Sequence, residues 1–171
     1  MVSKILVPDI GDFEKVEIIE ILVKTGDEIK NSGGFIIYGR SDTTLNPGGV
    51  RLGTSEIYSE VEKFKEIKES LVIGQAWDND IRIILFVIMS KNYKLNDDLI
   101  KKIKLQIKIN ASPRHVPNKI LNVKDIPRTK NGKIVELAVK NIIEGNKVKN
   151  IEALANPEIL NEFKNLNELK Q

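Results

Sequence analysis

The sequence predicts an α+β fold: a small layered domain with a central, mostly antiparallel three-stranded sheet flanked by helices, a β-hairpin preceding it, and an extra β-hairpin at the N-terminus. Three observations carry this. Residues 71–77 and 81–89 are β-rich runs joined by Asp78-Asn79-Asp80, a strong hairpin signal. Two stretches with apolar residues at helical spacing lie on either side of that pair, each opened by a capping residue. The order of elements after residue 33 reads βαββαβα, which suits a sheet with helices laid on it.

Taken in order, residues 4–7 and 16–23 are β-like runs separated by Pro8-Asp9-Ile10-Gly11-Asp12 and closed off by Thr25-Gly26-Asp27, so residues 1–32 read as a hairpin. A lone hairpin is marginal in water and needs a surface to pack on. Asn31-Ser32-Gly33-Gly34 is flexible punctuation, and a domain boundary is placed there. Residues 35–38 read as a short strand, and Leu45-Asn46-Pro47-Gly48-Gly49-Val50 as a tight turn between short strands. Thr54 or Ser55 then caps a helix carrying Ile57, Val61 and Phe64 on one side. The run 81–89 is apolar enough for a buried central strand, and Phe86 and Trp77 read as core and sheet residues. Asn96 caps a helix through about Lys108 with Leu99, Ile103 and Ile107 in register, and Pro113 and Pro117 stop it. Residues 120–123 give another strand, 128–132 an exposed polar loop, and 134–143 a closing helix ending near Gly145. The domain thus covers 33–148, and 149–171 reads as a polar helical tail, peripheral or frayed.

With 171 residues and no cysteine, disulfides, Cys-ligated zinc and thiol nucleophiles are excluded, and the single histidine, His115, leaves no metal site to expect. His115 sits between prolines with no carboxylate partner in view and reads as a structural or solvated residue rather than a base. The net charge of +3 hides an asymmetry: residues 1–34 hold four lysines against seven acids, whereas 101–149 hold thirteen Lys and Arg against three acids. The basic half suits an anionic ligand, but with the aromatics scattered no stacking platform for nucleic acid is expected. No run approaches the roughly 18 apolar residues of a membrane span and no secretory signal is recognisable, so a cytoplasmic location is expected.

Two segments have chemical potential. Around residues 39–57, Arg40 and Arg51 lie near a glycine turn, where the bare backbone admits close approach of a phosphate, although an ordinary surface hairpin has the same ingredients. In residues 126–134, Lys133 follows a flexible Asn131-Gly132, and a mobile ammonium there can neutralise charge developing on a phosphoryl or carboxylate oxygen; a solvated loop lysine is the plainer alternative.

Taken together, Gly39-Arg40-Ser41-Asp42, Leu45-Asn46-Pro47-Gly48-Gly49-Val50-Arg51-Leu52-Gly53, Ser112-Pro113-Arg114-His115-Val116-Pro117 and Pro127-Arg128-Thr129-Lys130-Asn131-Gly132-Lys133 resemble, in order and spacing, the C-terminal domain of adenylate-forming acyl-CoA synthetases. The likeness is greatest to the acetoacetate:CoA ligase (AMP-forming) family and covers about residues 33–160. It implies a swivelling lid for a two-step reaction, in which acetoacetate or a similar short acyl acid and ATP give an acyl-adenylate, and CoA then displaces AMP. On that resemblance Lys133 is the catalytic lysine of adenylation, Asp42 the hinge, and Arg40 a neighbour of the nucleotide. Gly49 and Arg51 match the loop facing CoA, and Lys108 a basic residue near the CoA nucleotide. The family's large adenylating domain, with its phosphate loop, is an expected partner, and Mg2+ accompanying ATP would be bound outside this chain. No ligase activity is expected of these 171 residues alone. Separately, Leu6-Val7-Pro8-Asp9-Ile10-Gly11-Asp12 and Val23-Lys24-Thr25-Gly26-Asp27 resemble the first half of a lipoyl domain without the turn that carries its modified lysine, so no lipoate is expected. A fused lipoyl-like and synthetase fragment serving as a non-catalytic interaction module is the alternative reading.

Overall fold

The computed structural model describes residues 44–170. The N-terminal hairpin of residues 1–32, the boundary at residue 33, the strand at 35–38, and Arg40 and Asp42 lie outside the described residues.

The first feature is the turn anticipated at residues 45–50. Leu45 and Leu52 exchange backbone hydrogen bonds of 3.0 and 2.8 Å and bury both side chains, while Pro47–Gly49 makes a 3-10 turn between them. Helix α1, Ser55–Val61, follows. Thr54 precedes it in helical backbone geometry and makes no capping bond, so this short helix is held by packing of Ile57 and Val61, both fully buried. Glu60 fastens it to the next helix by accepting from Gln106 and Asn110 at 2.9 Å each.

Strands β1, Ile67–Trp77, and β2, Asp80–Met89, pair antiparallel with Ile73 opposite Ile84 and Trp77 opposite Asp80. The turn between them places Asp78 and Asn79 at φ of 49° and 59°. Two consecutive left-handed residues match the strands' right-handed twist, and Asp and Asn tolerate them better than most side chains. Helix α2, Asp97–Asn110, begins where expected, the Asn96 side chain accepting from Leu99 N–H at 2.9 Å.

Strand β3, Lys119–Asn122, adds the short parallel part of the mostly antiparallel sheet expected. It pairs with β2 in parallel, Leu85 opposite Ile120, so the order β1-β2-β3 is a mixed sheet. The reason is the connection: α2 returns the chain over one face before β3 begins, which makes β2-α2-β3 a crossover unit whose second strand must run parallel to its first. Helix α3, Glu136–Ile143, starts two residues later than expected because Ile134 bridges to Arg128.

The sheet is covered on both faces. On one, Val72, Ile83, Leu85 and Val87 pack with Ile57 and Val61 of α1 and Leu99, Ile103 and Ile107 of α2. On the other, Leu71, Ile73, Ile84, Phe86 and Ile88 meet Val139 of α3 together with Phe163 and Leu169. A sheet buried on both sides needs apolar residues at successive positions, which is why β2 reads as a continuous apolar run. Tyr58 links three elements: its hydroxyl accepts from Val72 N–H at 3.0 Å and donates to Glu136 at 3.3 Å. Burial pushes this phenol's pKa far up, with the Glu136 carboxylate adding to the shift.

Two expectations are corrected on that second face. The segment after residue 148 is neither a peripheral helix nor a frayed end but three 3-10 turns, Ile151–Ala153, Pro157–Phe163 and Asn167–Leu169. Phe163 is fully buried, its ring edge-on to Phe86 at 5.0 Å. Trp77 is not a core residue: it is 38% exposed, with the Arg82 guanidinium 3.7 Å above its ring.

Gly74 of β1 is closely packed. A Cβ there would come within 2.8 Å of Ile81 Cγ2 and 3.3 Å of Leu45 Cδ2. Gly74→Ala is therefore expected to cost about 1–3 kcal/mol through overpacking, seen as a lower urea midpoint at unchanged slope; an unchanged midpoint would mean that the two side chains yield freely.

Candidate functional site

The structure sorts the site residues into two groups. At the hairpin end of the sheet, Gly48 and Gly49 take φ of 58° and 76°, a left-handed pair that glycine adopts at no steric cost. Gly48 N–H donates to Asp80 Oδ1 at 2.8 Å, and Ile81 N–H donates to the same oxygen at 2.7 Å, so the strand turn holds the glycine turn. Gly49 faces an open groove lined also by Asn46, Ala76, Trp77 and Asp78. Arg51 is exposed beside it. Arg114 joins this end, with Nη1 3.7 Å from where a Gly48 Cβ would stand. Lys108 is exposed in the last turn of α2.

Asp80 makes this end sensitive to acid. The Gly48 and Ile81 N–H bonds hold its carboxyl below the ordinary aspartate range. A folded pKa below the unfolded one contributes stability that is present above the ordinary value and lost as pH falls through the lowered one. The Gly48 amide resonance should accordingly titrate with a midpoint below the ordinary aspartate value and stop titrating in Asp80→Asn. A midpoint at or above the ordinary value would show that the two bonds contribute nothing to the carboxylate.

Lys133 lies elsewhere. Residues 128–134 form a small hairpin in which Thr129 N–H donates to Lys133 O at 2.8 Å, Lys133 N–H donates to Thr129 Oγ1 at 3.1 Å, and Gly132 turns the chain at φ 79°. Arg128 anchors this loop to the sheet through an ion pair with Glu69 of β1. Lys133 is exposed, and no described residue pairs with its ammonium. From Glu69 to Trp77 is almost the length of β1, roughly 26 Å at about 3.3 Å per residue. The structure thus brings Gly49, Arg51 and Arg114 to the hairpin end and sets Lys133 near the opposite end.

In the Ser112-Pro113-Arg114-His115 stretch the histidine is a structural residue, as one of the two readings had it, and one expectation, that no carboxylate lies near, is corrected. His115 is buried, its Nδ1 2.8 Å from Ser112 Oγ, and a carboxylate does lie near: Glu56 Oε2 is 3.8 Å from Nε2. Sequence reasoning did not single out Arg114 or Asp80. Arg114 was visible within its motif, whereas nothing in the sequence signals that Asp80 holds the glycine turn. Among the described residues no group of His, Asp and Glu is placed to hold a metal ion, and no helix is long and apolar enough to cross a membrane.

No family model matches the chain. It is 58% identical over 138 residues to the acetoacetyl-coenzyme A synthetase of Rhizobium meliloti, a match covering 81% of this chain and 21% of that protein. The acetoacetyl-CoA synthetase of Gallus gallus is 49% identical over 140 residues with the same coverage. The chain thus spans about a fifth of the length of these relatives. Among solved structures, acetoacetyl-CoA synthetase from Streptomyces lividans superposes with a TM-score of 0.70 at 37% identity, over 80% of this chain and 21% of that one. The anthranilate CoA ligase AuaEII, in complex with anthranoyl-AMP, does so at 0.54 and 28%, over 57% of this chain and 19% of that one. With the mixed sheet and these likenesses in agreement, the chain is homologous to the C-terminal region of acetoacetyl-CoA synthetases and has the fold of the C-terminal domain of AMP-forming acyl-CoA synthetases.

Proposed function

We propose that this chain supplies the C-terminal catalytic lid of an acetoacetate:CoA ligase (AMP-forming), working with a large adenylating domain. In the first step a carboxylate oxygen of acetoacetate, or of a similar short acyl acid, attacks the α-phosphorus of ATP, and the bond to pyrophosphate breaks. In the second the CoA thiolate attacks the acyl carbonyl and AMP leaves. Lys133 answers the first demand, since an exposed ammonium on a loop can meet the charge growing on the phosphoryl and carboxylate oxygens. Arg40 lies toward the nucleotide on this reading, and Mg2+ arrives with ATP on the other domain. Gly49, Arg51 and Lys108 answer the second step, a bare backbone giving CoA close passage and the cations facing its phosphates.

One observation carries the reading: the Lys133 loop is tied to β1 at Glu69 and the glycine turn to the β1–β2 turn at Asp80, near opposite ends of the strand. A lid turning about Asp42 would present each end in turn, the motion confined to a few backbone dihedrals. The expected setting is cytoplasmic, with no nucleic acid, membrane or lipoate involved.

The test combines the 171-residue chain with a large adenylating domain from a homologous synthetase. Acetoacetate-dependent exchange of pyrophosphate into ATP, and acetoacetyl-CoA formation, are expected only in the combination. Turnover by the chain alone, or no gain on combining the two, would sink the proposal.

A further inference from the structure

The loop bearing Lys133 is held from the tail as well as from the sheet. Ala155 N–H donates to Arg128 O at 2.8 Å, and Lys130 N–H donates to Ala153 O at 3.1 Å. Asn156 does most of the fastening. Its Oδ1 accepts from Arg128 N–H at 2.9 Å, while its Nδ2 donates to Asp125 Oδ2 at 2.9 Å and to Ile126 O at 3.0 Å. Residues 155 and 156 therefore engage both backbone groups of Arg128, which in turn holds Glu69 and bonds to Gly132 O at 3.4 Å. The next residue, Thr129, bonds Lys133 through its amide and its hydroxyl. Hydrogen bonds joined through the Arg128–Thr129 peptide link lead from one side chain in the tail to the backbone of the lysine.

We propose that Asn156 is a positioning residue for Lys133, fixing the entry to residues 128–134 so that the ammonium reaches the adenylation centre; the proposal rests on the lid reading above. The side chain is suited to this because it offers an acceptor and two donors at once, and the segment it grips presents one N–H, one carbonyl and one carboxylate. A loop displaced by about 1 Å can cost as much as a hundredfold in a step that depends on alignment. The hairpin end lies beyond the reach of these bonds, so only one half of the reaction should feel their loss.

The test uses the chain combined with its adenylating domain and measures the half-reactions separately. Asn156→Asp keeps the acceptor for Arg128 but loses both donors and sets a carboxylate against Asp125. It is expected to slow pyrophosphate exchange about tenfold to a hundredfold, while thioester formation from preformed acyl-adenylate stays within about twofold. Adding Asp125→Asn reverses donor and acceptor across that contact, though not at Ile126 O, and is expected to recover part of the exchange rate. An equal loss in both half-reactions marks general destabilisation and overturns the proposal, as does an Asn156→Asp variant with normal exchange or a double variant that regains nothing. Lys133→Ala separates the two levels: if that variant keeps normal exchange, the lid reading fails, whereas a loss there with none in Asn156→Asp fails the positioning role alone.

Discussion

Lys133→Ala is expected to lower acetoacetate-dependent pyrophosphate exchange by about two to three orders of magnitude, the scale seen when one preorganised donor to a developing charge is removed. Thioester formation from supplied acyl-adenylate should hardly change, because the lysine is then at the far end of the sheet from the glycine turn. The fold should be indifferent as well. Lys133 is exposed and no described residue pairs with its ammonium, so its removal belongs among surface substitutions, within about 0.5 kcal/mol. Exchange assays and thermal melts on the same preparations check both halves of the statement. A variant that melts early and loses both half-reactions would show that Lys133 is a structural residue.

Phe163→Ala should produce the largest loss of stability. The ring is fully buried and meets Phe86 at an interplanar angle of 82°. Deleting it removes a core side chain from a site lined by strand residues that have little freedom to collapse, a loss of about 3–5 kcal/mol. For a domain of this size that corresponds to a fall in Tm of roughly 10–20 °C. Ile151→Ala, in the same tail but 44% exposed, serves as the control and should change little. If the two variants melt alike, the tail contributes nothing to the core and residues 149–171 are an appendage after all.

That second expectation marks where sequence reading stopped. The β1–β2 pair was legible because Asp78 and Asn79 announce their turn and the runs beside them are β-rich. Helix α2 was legible because Asn96 and the spacing of Leu99, Ile103 and Ile107 agree. The tail was not, because its apolar residues follow 3-10 turns rather than a helical period, and only the apolar face of β1 and β2, which they help to bury, gives them a destination. The parallel pairing of β3 is likewise a matter of connection rather than composition. Trp77 looked like core among apolar neighbours, yet it sits at the end of its strand, where the sheet runs out and Arg82 covers the ring.

The candidate site shows the same division. Gly49 and Lys133 each belong to a local word in the chain, so the resemblance could point to both. Asp80 and Asn156 act across 32 and 28 positions of sequence, and no local pattern distinguishes them from ordinary turn residues. Arg114 stood in a recognised motif, but its nearness to Gly48 follows from the packing of α2 and the turn after it.

The length of β1 between the two loops has a consequence for engineering. Changes at sites well beyond about 10 Å with no shared partners combine independently. The stability cost of Gly49→Ala with Lys133→Ala should therefore equal the sum of the single costs, so a substitution at one tip of the domain leaves the stability margin at the other untouched.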